Sequence, residues 1–388
     1  MTRKKIGCVI SYTKNHNNYG TSLQAYAMLK KIQQLGYDIE VIHYIKQLSL
    51  MQKANFVWNA YRCGELKKIF RNKAIEQCKK EHPNYAKGLQ IRTIAVNKYK
   101  EKKLLPFFHD YKGYKALHEG SKNYSSVIVG SDQVWTPLSL PNKFFNLLFV
   151  DDNVRKVAYA SSFGVSDIPH FQKKATREFL NRFDVIGVRE QRGKELVDTL
   201  SHNIATVVAD PTLLLTSTEW EKEIEDARPI ETDSYIFCYF LSENVEARKQ
   251  TLALSKKTGL KIITIRHMEQ YRSIDETIGD IAPYDVDPND FVKYISKATY
   301  VCTDSFHCTV FSTLFHRQFM TFYRTAQMTK NSRNSRIDSL FSVLGINKEH
   351  IYAGDINKID TLIDWKLVDK NLKKLREDSI MYLDKALR

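Results

Sequence analysis

Residues 5–11 form a short apolar run, residues 12–20 a polar loop, and from about residue 21 apolar positions recur at helical spacing through Leu23, Ala27 and Leu29. Gly36 closes that helix as a C-cap, and residues 39–44 read as the next strand. A strand–helix–strand unit of this kind implies a parallel sheet. Residues 47–115 interrupt the pattern and are largely helical by composition, so they read as an inserted basic subdomain. The alternation resumes with buried strands at 126–129, 157–160, 185–188 and 206–208, with helices at 169–183 and 191–200. A charged stretch near 219–233 reads as a linker. A second alternation follows, with strands at 235–241, 261–265, 300–302 and 319–322 and helices at 245–258, 288–298, 306–315 and 335–344. An amphipathic helix runs to the end of the chain.

The expected architecture is α/β: two Rossmann-like domains facing a central cleft. The first spans 1–215 with its insert at about 47–115. A linker covers 216–232, the second domain 233–350, and a helical tail 351–388. In such an arrangement the carboxyl ends of both sheets' strands face the crevice, where ligands bind.

A chain of 388 residues suits two cores, and a 43 % hydrophobic content suits a folded protein. No run approaches the 18 or so apolar residues of a spanning helix. The start, Met1-Thr-Arg-Lys-Lys, leads into a first strand and has no cleavage-like site, so it does not read as a signal peptide. A cytoplasmic location follows as the expectation. The six cysteines are scattered without a CxxC pair, which argues against a zinc cluster or a disulfide framework. No metal site and no cofactor is expected.

The net charge is +15, and residues 62–115 carry 15 Lys/Arg against 5 Asp/Glu, so this stretch holds +10 of it. One reading is a solvated helical face. The other is an electrostatic footprint for anionic lipid at the inner face of the membrane, or for a diphosphate-linked acceptor. Nucleic acid is not expected, because no recognisable binding module accompanies the charge.

Candidate chemistry sits in the strand-end loops. Asn17, Tyr19 and Gly20 precede the first helix, whose N-terminal amides suit an anion or serve as ordinary capping. After residue 129 come Gly130, Ser131, Asp132, Gln133, Val134 and Trp135, a dense polar turn beside a buried strand in which Asp132 is either a reactive carboxylate or a cap. Arg189 follows a buried strand, where a guanidinium must meet a carboxylate or a phosphate; Glu190 is the structural alternative to a ligand. Thr303, Asp304, Ser305, Phe306 and His307 join an apolar strand to an apolar helix. They place His307 in a first helical turn, suited to acid–base work.

Asn17-Tyr-Gly with Leu23-Gln-Ala-Tyr-Ala27, the Gly130–Trp135 turn, Val188-Arg-Glu190, Asp210-Pro-Thr212 and Thr303-Asp-Ser-Phe-His307 together resemble the polysaccharide pyruvyl transferase family, in the same order and across residues 5 to about 345. The resemblance implies a two-domain fold similar to the GT-B glycosyltransferases, phosphoenolpyruvate as donor, and ketal-forming transfer to a sugar or a lipid-linked oligosaccharide acceptor. It puts the family's donor-binding arginine at Arg189 and its key histidine at His307. Two positions depart: Ser305 stands where members often carry arginine, and Cys308 where they carry glycine. Lys330, Arg333 and Arg336 are either the replacement for the missing cation or a solvated helix start. With the resemblance, Asn17, Tyr19, Gly20, Ser131, Gln133, Asp304, Ser305, Arg333 and Arg336 are expected to bind substrate, and Asp132 to orient or deprotonate the acceptor hydroxyl. A nucleotide-sugar glycosyltransferase in the same cleft, or a catalytically silent binding protein, are the alternatives.

Overall fold

Among the described residues the strands pair into two wholly parallel sheets. The structure is a computed structural model and describes residues 4–66, 71–230, 232–324 and 335–388. The first sheet contains β1 (Lys5–Val9), β2 (Asp38–Ile45), β3 (Phe108–Lys112), β4 (Ser126–Val129), β5 (Arg155–Ser161), β6 (Val185–Val188) and β7 (Thr206–Val207), in the order β3-β2-β1-β4-β5-β6-β7. The second contains β8 (Tyr235–Tyr239), β9 (Lys261–Thr264), β10 (Tyr300–Thr303) and β11 (Gln318–Thr321), in the order β11-β10-β8-β9. The strand order reverses between β1 and β4 and again between β8 and β10, and ligands of open α/β sheets sit at such switch points. Strands covered by helices on both faces need apolar side chains on both, which is why β4 and β8 are buried along their whole length. The fold is thus α/β with two parallel sheets, as expected.

Two segments differ from the expectation. The stretch 47–115 does contain helices, at Leu50–Arg62, Arg71–Glu81 and Pro83–Lys103, but it ends in β3, an edge strand paired with β2. Its sequence, Phe-His-Asp-Tyr-Lys, exposes three of five residues and so lacks the apolar run of a central strand. The charged stretch after Leu215 opens with a packed helix, Ser217–Glu223. Thr216 and Glu219 form a reciprocal capping box there, and Trp220 is fully buried with its indole N–H on the Thr212 carbonyl at 3.0 Å.

Among the contacts that tie the lobes together are those of Tyr19, of Arg92 and of the last helix. Tyr19, at the start of the helix Tyr19–Gln34, stacks on Phe291 of the helix Pro288–Lys297 at 4.7 Å and donates its hydroxyl to the Val286 carbonyl at 2.9 Å. Arg92, in the inserted helix Pro83–Lys103, is buried and donates to the carbonyls of Tyr284, Pro283 and Arg266 at 2.6, 3.0 and 3.4 Å. The last helix, Trp365–Leu387, returns to the first sheet: Tyr382 donates to the Ala158 carbonyl at 3.1 Å, and Arg155 to that of Ala386 at 2.7 Å.

Candidate functional site

Arg189 follows β6 directly, and its side chain is 2 % exposed. Nη1 donates to Asp210 Oδ2 at 3.0 Å and to Ser131 Oγ at 3.4 Å. Glu190, the neighbouring carboxylate, is farther away at 3.8 Å, and its Oε1 accepts from Ser162 Oγ at 2.6 Å. The partner of Arg189 is therefore Asp210, a residue the sequence marks only through its Asp-Pro-Thr motif. Arg189 Nε and Nη2 are buried and have no hydrogen-bond partner. A desolvated guanidinium with two unanswered donors is costly unless an anion completes it.

Asp210 precedes a 3₁₀ turn at Pro211–Leu213, and its Oδ1 caps that turn by accepting from Thr212 N at 3.0 Å and Thr212 Oγ1 at 2.7 Å. Its Oδ2 serves Arg189 and Ser131, and lies 3.7 Å from His307 Nε2. Burial alone would raise the Asp210 carboxyl; the charges of His307 and Arg189 and the Thr212 hydrogen bond hold it far below the usual carboxylate range instead.

His307 stands in the first turn of the helix Phe306–Leu314, capped by Ser305 Oγ accepting from Cys308 N at 3.4 Å. The side chain is 12 % exposed. Its other face lies on Gly20, where a β-carbon would collide with the imidazole, nearest to Nδ1. The two lobes thus meet at this glycine and this histidine. Asp132 completes the cluster after β4. Its φ of 91° is unusual for a non-glycine residue, and the turn is held by Thr21 Oγ1 donating to Oδ2 and the Gln133 amide to Oδ1, both at 2.8 Å. Burial would raise this carboxyl too, but Arg189, His307 and Thr21 bring it below its ordinary value.

The expected residues therefore separate into groups. Gly20, Ser131, Asp132, Arg189 and His307 converge, joined by Thr21 and Asp210. Arg336 shares Phe306 with Arg189: its guanidinium lies 5.4 Å from the ring centre and that of Arg189 5.0 Å, and both line a crevice of about 30 Å³. Gln133 turns towards Gly164. Asp304 is spent on the loop, accepting from the amides of Leu241 and Ser242 at 2.6 and 2.9 Å, while Ser305 is the helix cap. Tyr19 is wholly buried between the lobes, where it braces the fold. Lys330 and Arg333 lie outside the described residues.

Asn17 faces elsewhere. Its amide donates to Thr93 Oγ1 at 3.0 Å, its Oδ1 is buried without a partner, and it lines a cleft of about 910 Å³. The cleft lies between the Thr13–Asn17 loop, the inserted helices and Met268–Glu269, and His16 Nε2 closes on Glu269 Oε1 at 2.8 Å across it. Lys100 underpins the loop by donating to the carbonyls of Thr13 and His16 at 3.0 and 2.6 Å.

Two lobes, each built on a parallel sheet, bring polar strand-end loops together at their junction, the place where open α/β sheets bind ligands. The chain belongs to the polysaccharide pyruvyl transferase family, whose sequence profile matches residues 18–325. It is accordingly a transferase of polysaccharide biosynthesis, in a family that pairs a pyruvyl donor with a polysaccharide acceptor. No curated relative matches the sequence. Solved structures with a similar course include a UDP-GlcNAc 2-epimerase from Neisseria meningitidis, with a TM-score of 0.46 and 10 % identity, covering 97 % of this chain and 100 % of that one. MurG of Acinetobacter baumannii gives a TM-score of 0.46 and 11 % identity, covering 98 % of each chain. None of the described helices is long and apolar enough to cross a membrane.

Proposed function

We propose that this transferase takes its pyruvyl group from phosphoenolpyruvate and bridges two hydroxyls of a sugar, in a surface polysaccharide or its lipid-linked precursor, as a pyruvate ketal. The observation that carries the reading is Arg189: a buried guanidinium with Nε and Nη2 unanswered, 5.0 Å from a phenyl ring it shares with Arg336. A donor carrying both a phosphate and a carboxylate supplies hydrogen-bond acceptors for those two Arg189 donors.

In this reading His307 delivers a proton to the methylene carbon, the first sugar hydroxyl adds to the central carbon, phosphate leaves, and the second hydroxyl closes the ketal. Asp210, ionised, lies 3.7 Å from His307 Nε2 and faces the imidazole that carries the proton. Asp132, held by Thr21, is the group for the acceptor hydroxyl. The crevice beside Arg189 has room for only a water or two, so donor binding parts the side chains around Phe306. The acceptor enters through the 910 Å³ cleft, whose wall reaches Asn17, three residues from Gly20. The reading places the enzyme in the cytoplasm, touching the inner face of the membrane where a lipid-linked precursor is presented; the +10 stretch at 62–115 supports that contact.

The test is calorimetric titration of phosphoenolpyruvate into the wild type and His307→Asn, with phosphate release followed on added acceptor glycans. Donor binding by both proteins with turnover only in the wild type is expected. Absence of donor binding in the wild type overturns the reading.

A further inference from the structure

The helix Leu50–Arg62 leaves its apolar stripe exposed. Leu50, Ala54, Val57, Trp58 and Tyr61 follow the spacing i, i+4, i+7, i+8, i+11, which ordinarily marks the side of a helix facing the core. Here that stripe faces solvent: Leu50 is 84 % exposed, Val57 46 %, Trp58 60 % and Tyr61 59 %, with Met51 beside it at 76 %. The buried residues of the helix are only Asn59 and Ala60. Asn59 accepts from the Gln172 amide at 2.7 Å and donates to the carbonyl of Pro137 at 3.2 Å. Other large exposed apolar residues, such as Ile204 and Leu362, are scattered, whereas seven cluster between Leu48 and Tyr61. A contiguous exposed apolar patch marks an interaction surface.

The charge around it indicates the occupant. Residues 41–64 contain no Asp or Glu, Lys53 and Arg62 flank the stripe on either side, and the segment that follows carries the +10 excess. A second copy of the chain would bring these cations against each other across a two-fold axis, which opposes self-association. An anionic bilayer complements them. An apolar stripe ending in Trp and Tyr, bordered by cations, has the composition of a helix lying in the headgroup region.

We propose that Leu50–Arg62 is an interfacial helix that inserts Leu50, Met51, Val57 and Trp58 into an anionic lipid surface. It rests on the membrane contact proposed above, and adds to simple charge attraction an apolar anchor that salt does not screen. Neither Leu50 nor Trp58 touches the Arg189–His307 cluster, so the transfer reaction is not involved in the test.

The experiment is co-sedimentation of the full chain with vesicles of phosphatidylglycerol and phosphatidylcholine, and of phosphatidylcholine alone, using wild type and Leu50→Glu/Trp58→Glu. Tryptophan emission and gel filtration are read on the same samples. Expected are binding to the anionic vesicles, a blue shift of emission that Trp58→Phe removes, and a fall in affinity of about tenfold or more in the double variant. Both positions are exposed, so an unchanged melting temperature checks the fold. A wild type that ignores anionic vesicles sinks the membrane contact itself. Equal binding by the double variant sinks the helix assignment alone. A concentration-dependent dimer abolished by the same double variant replaces the lipid with a second copy and also overturns the proposal. A wild type that binds vesicles but never turns over phosphoenolpyruvate leaves this inference standing and removes the proposed donor instead.

Discussion

Gly20 of the first lobe and His307 of the second are in such close contact that no β-carbon fits between them. Gly20 lies within the helix Tyr19–Gln34, where alanine would ordinarily gain about 1 kcal/mol over glycine. Any harm from Gly20→Ala therefore reports the lobe contact and not the helix. The expected result is turnover lowered by about a hundredfold, because the imidazole is displaced from its position 3.7 Å from Asp210. Steady-state kinetics with a parallel melting curve checks it. Unchanged kcat would mean that His307 does not act from this position.

Arg189 separates two roles that one substitution can resolve. Arg189→Lys keeps a cation for Asp210 but loses the Nε and Nη2 donors proposed to face the donor substrate. Donor affinity should fall by about a hundredfold, with the melting temperature changed far less than in Arg189→Ala. Alanine strips the buried Asp210 of its charge partner, a loss of about 3 kcal/mol. Equal donor affinity in wild type and lysine variant would confine Arg189 to holding the fold.

Asp210 sets the acid limit of the lobe junction. Its carboxyl is held below the ordinary value in the folded chain, so its contribution to stability is complete above about pH 4 and is lost as pH falls through the folded-state value. Asp210→Asn removes that contribution at every pH. The variant should melt well below wild type at pH 7, and the gap should narrow steadily as the pH drops below about 4. Melting curves across pH 2 to pH 7, taken here as rough bounds, decide it; a constant gap contradicts the linkage.

What the sequence reveals, and what it hides, follows from the reach of each interaction. Strands such as Ser126–Val129 and the loops after them are legible because burial on both faces leaves continuous apolar runs with polar residues at their ends. Asp210 as the partner of Arg189 is not legible, because Glu190 is adjacent in the chain and only the folded sheet shows that its carboxylate turns to Ser162. Tyr19 looks like a ligand contact beside Gly20, yet its ring is needed between the lobes. The helix at Ser217–Glu223 had a usable signal, Thr216 three residues before Glu219, masked by the surrounding charge. Arg92 had none, since a cation on a strongly basic helix reads as solvated until its carbonyl partners, about 175 to 190 residues away, are in place.

That buried arginine makes the inserted helix Pro83–Lys103 part of the cleft. Arg92 satisfies the carbonyls of Arg266, Pro283 and Tyr284 in the second lobe, while Thr93, the next residue, holds Asn17 of the first at 3.0 Å. One turn of helix thus fixes the span over which the 910 Å³ cleft opens. Arg92→Leu leaves three carbonyls without their donor in a buried setting, costing about 3 kcal/mol, and frees the helix from the second lobe. The Arg189–Asp210–His307 cluster shares no contact with Arg92, so phosphoenolpyruvate binding should persist while the KM for acceptor rises by about tenfold or more. Amide exchange across residues 83–103 should accelerate in the same variant. Loss of donor affinity together with acceptor affinity would show instead that the strap holds the whole lobe junction closed.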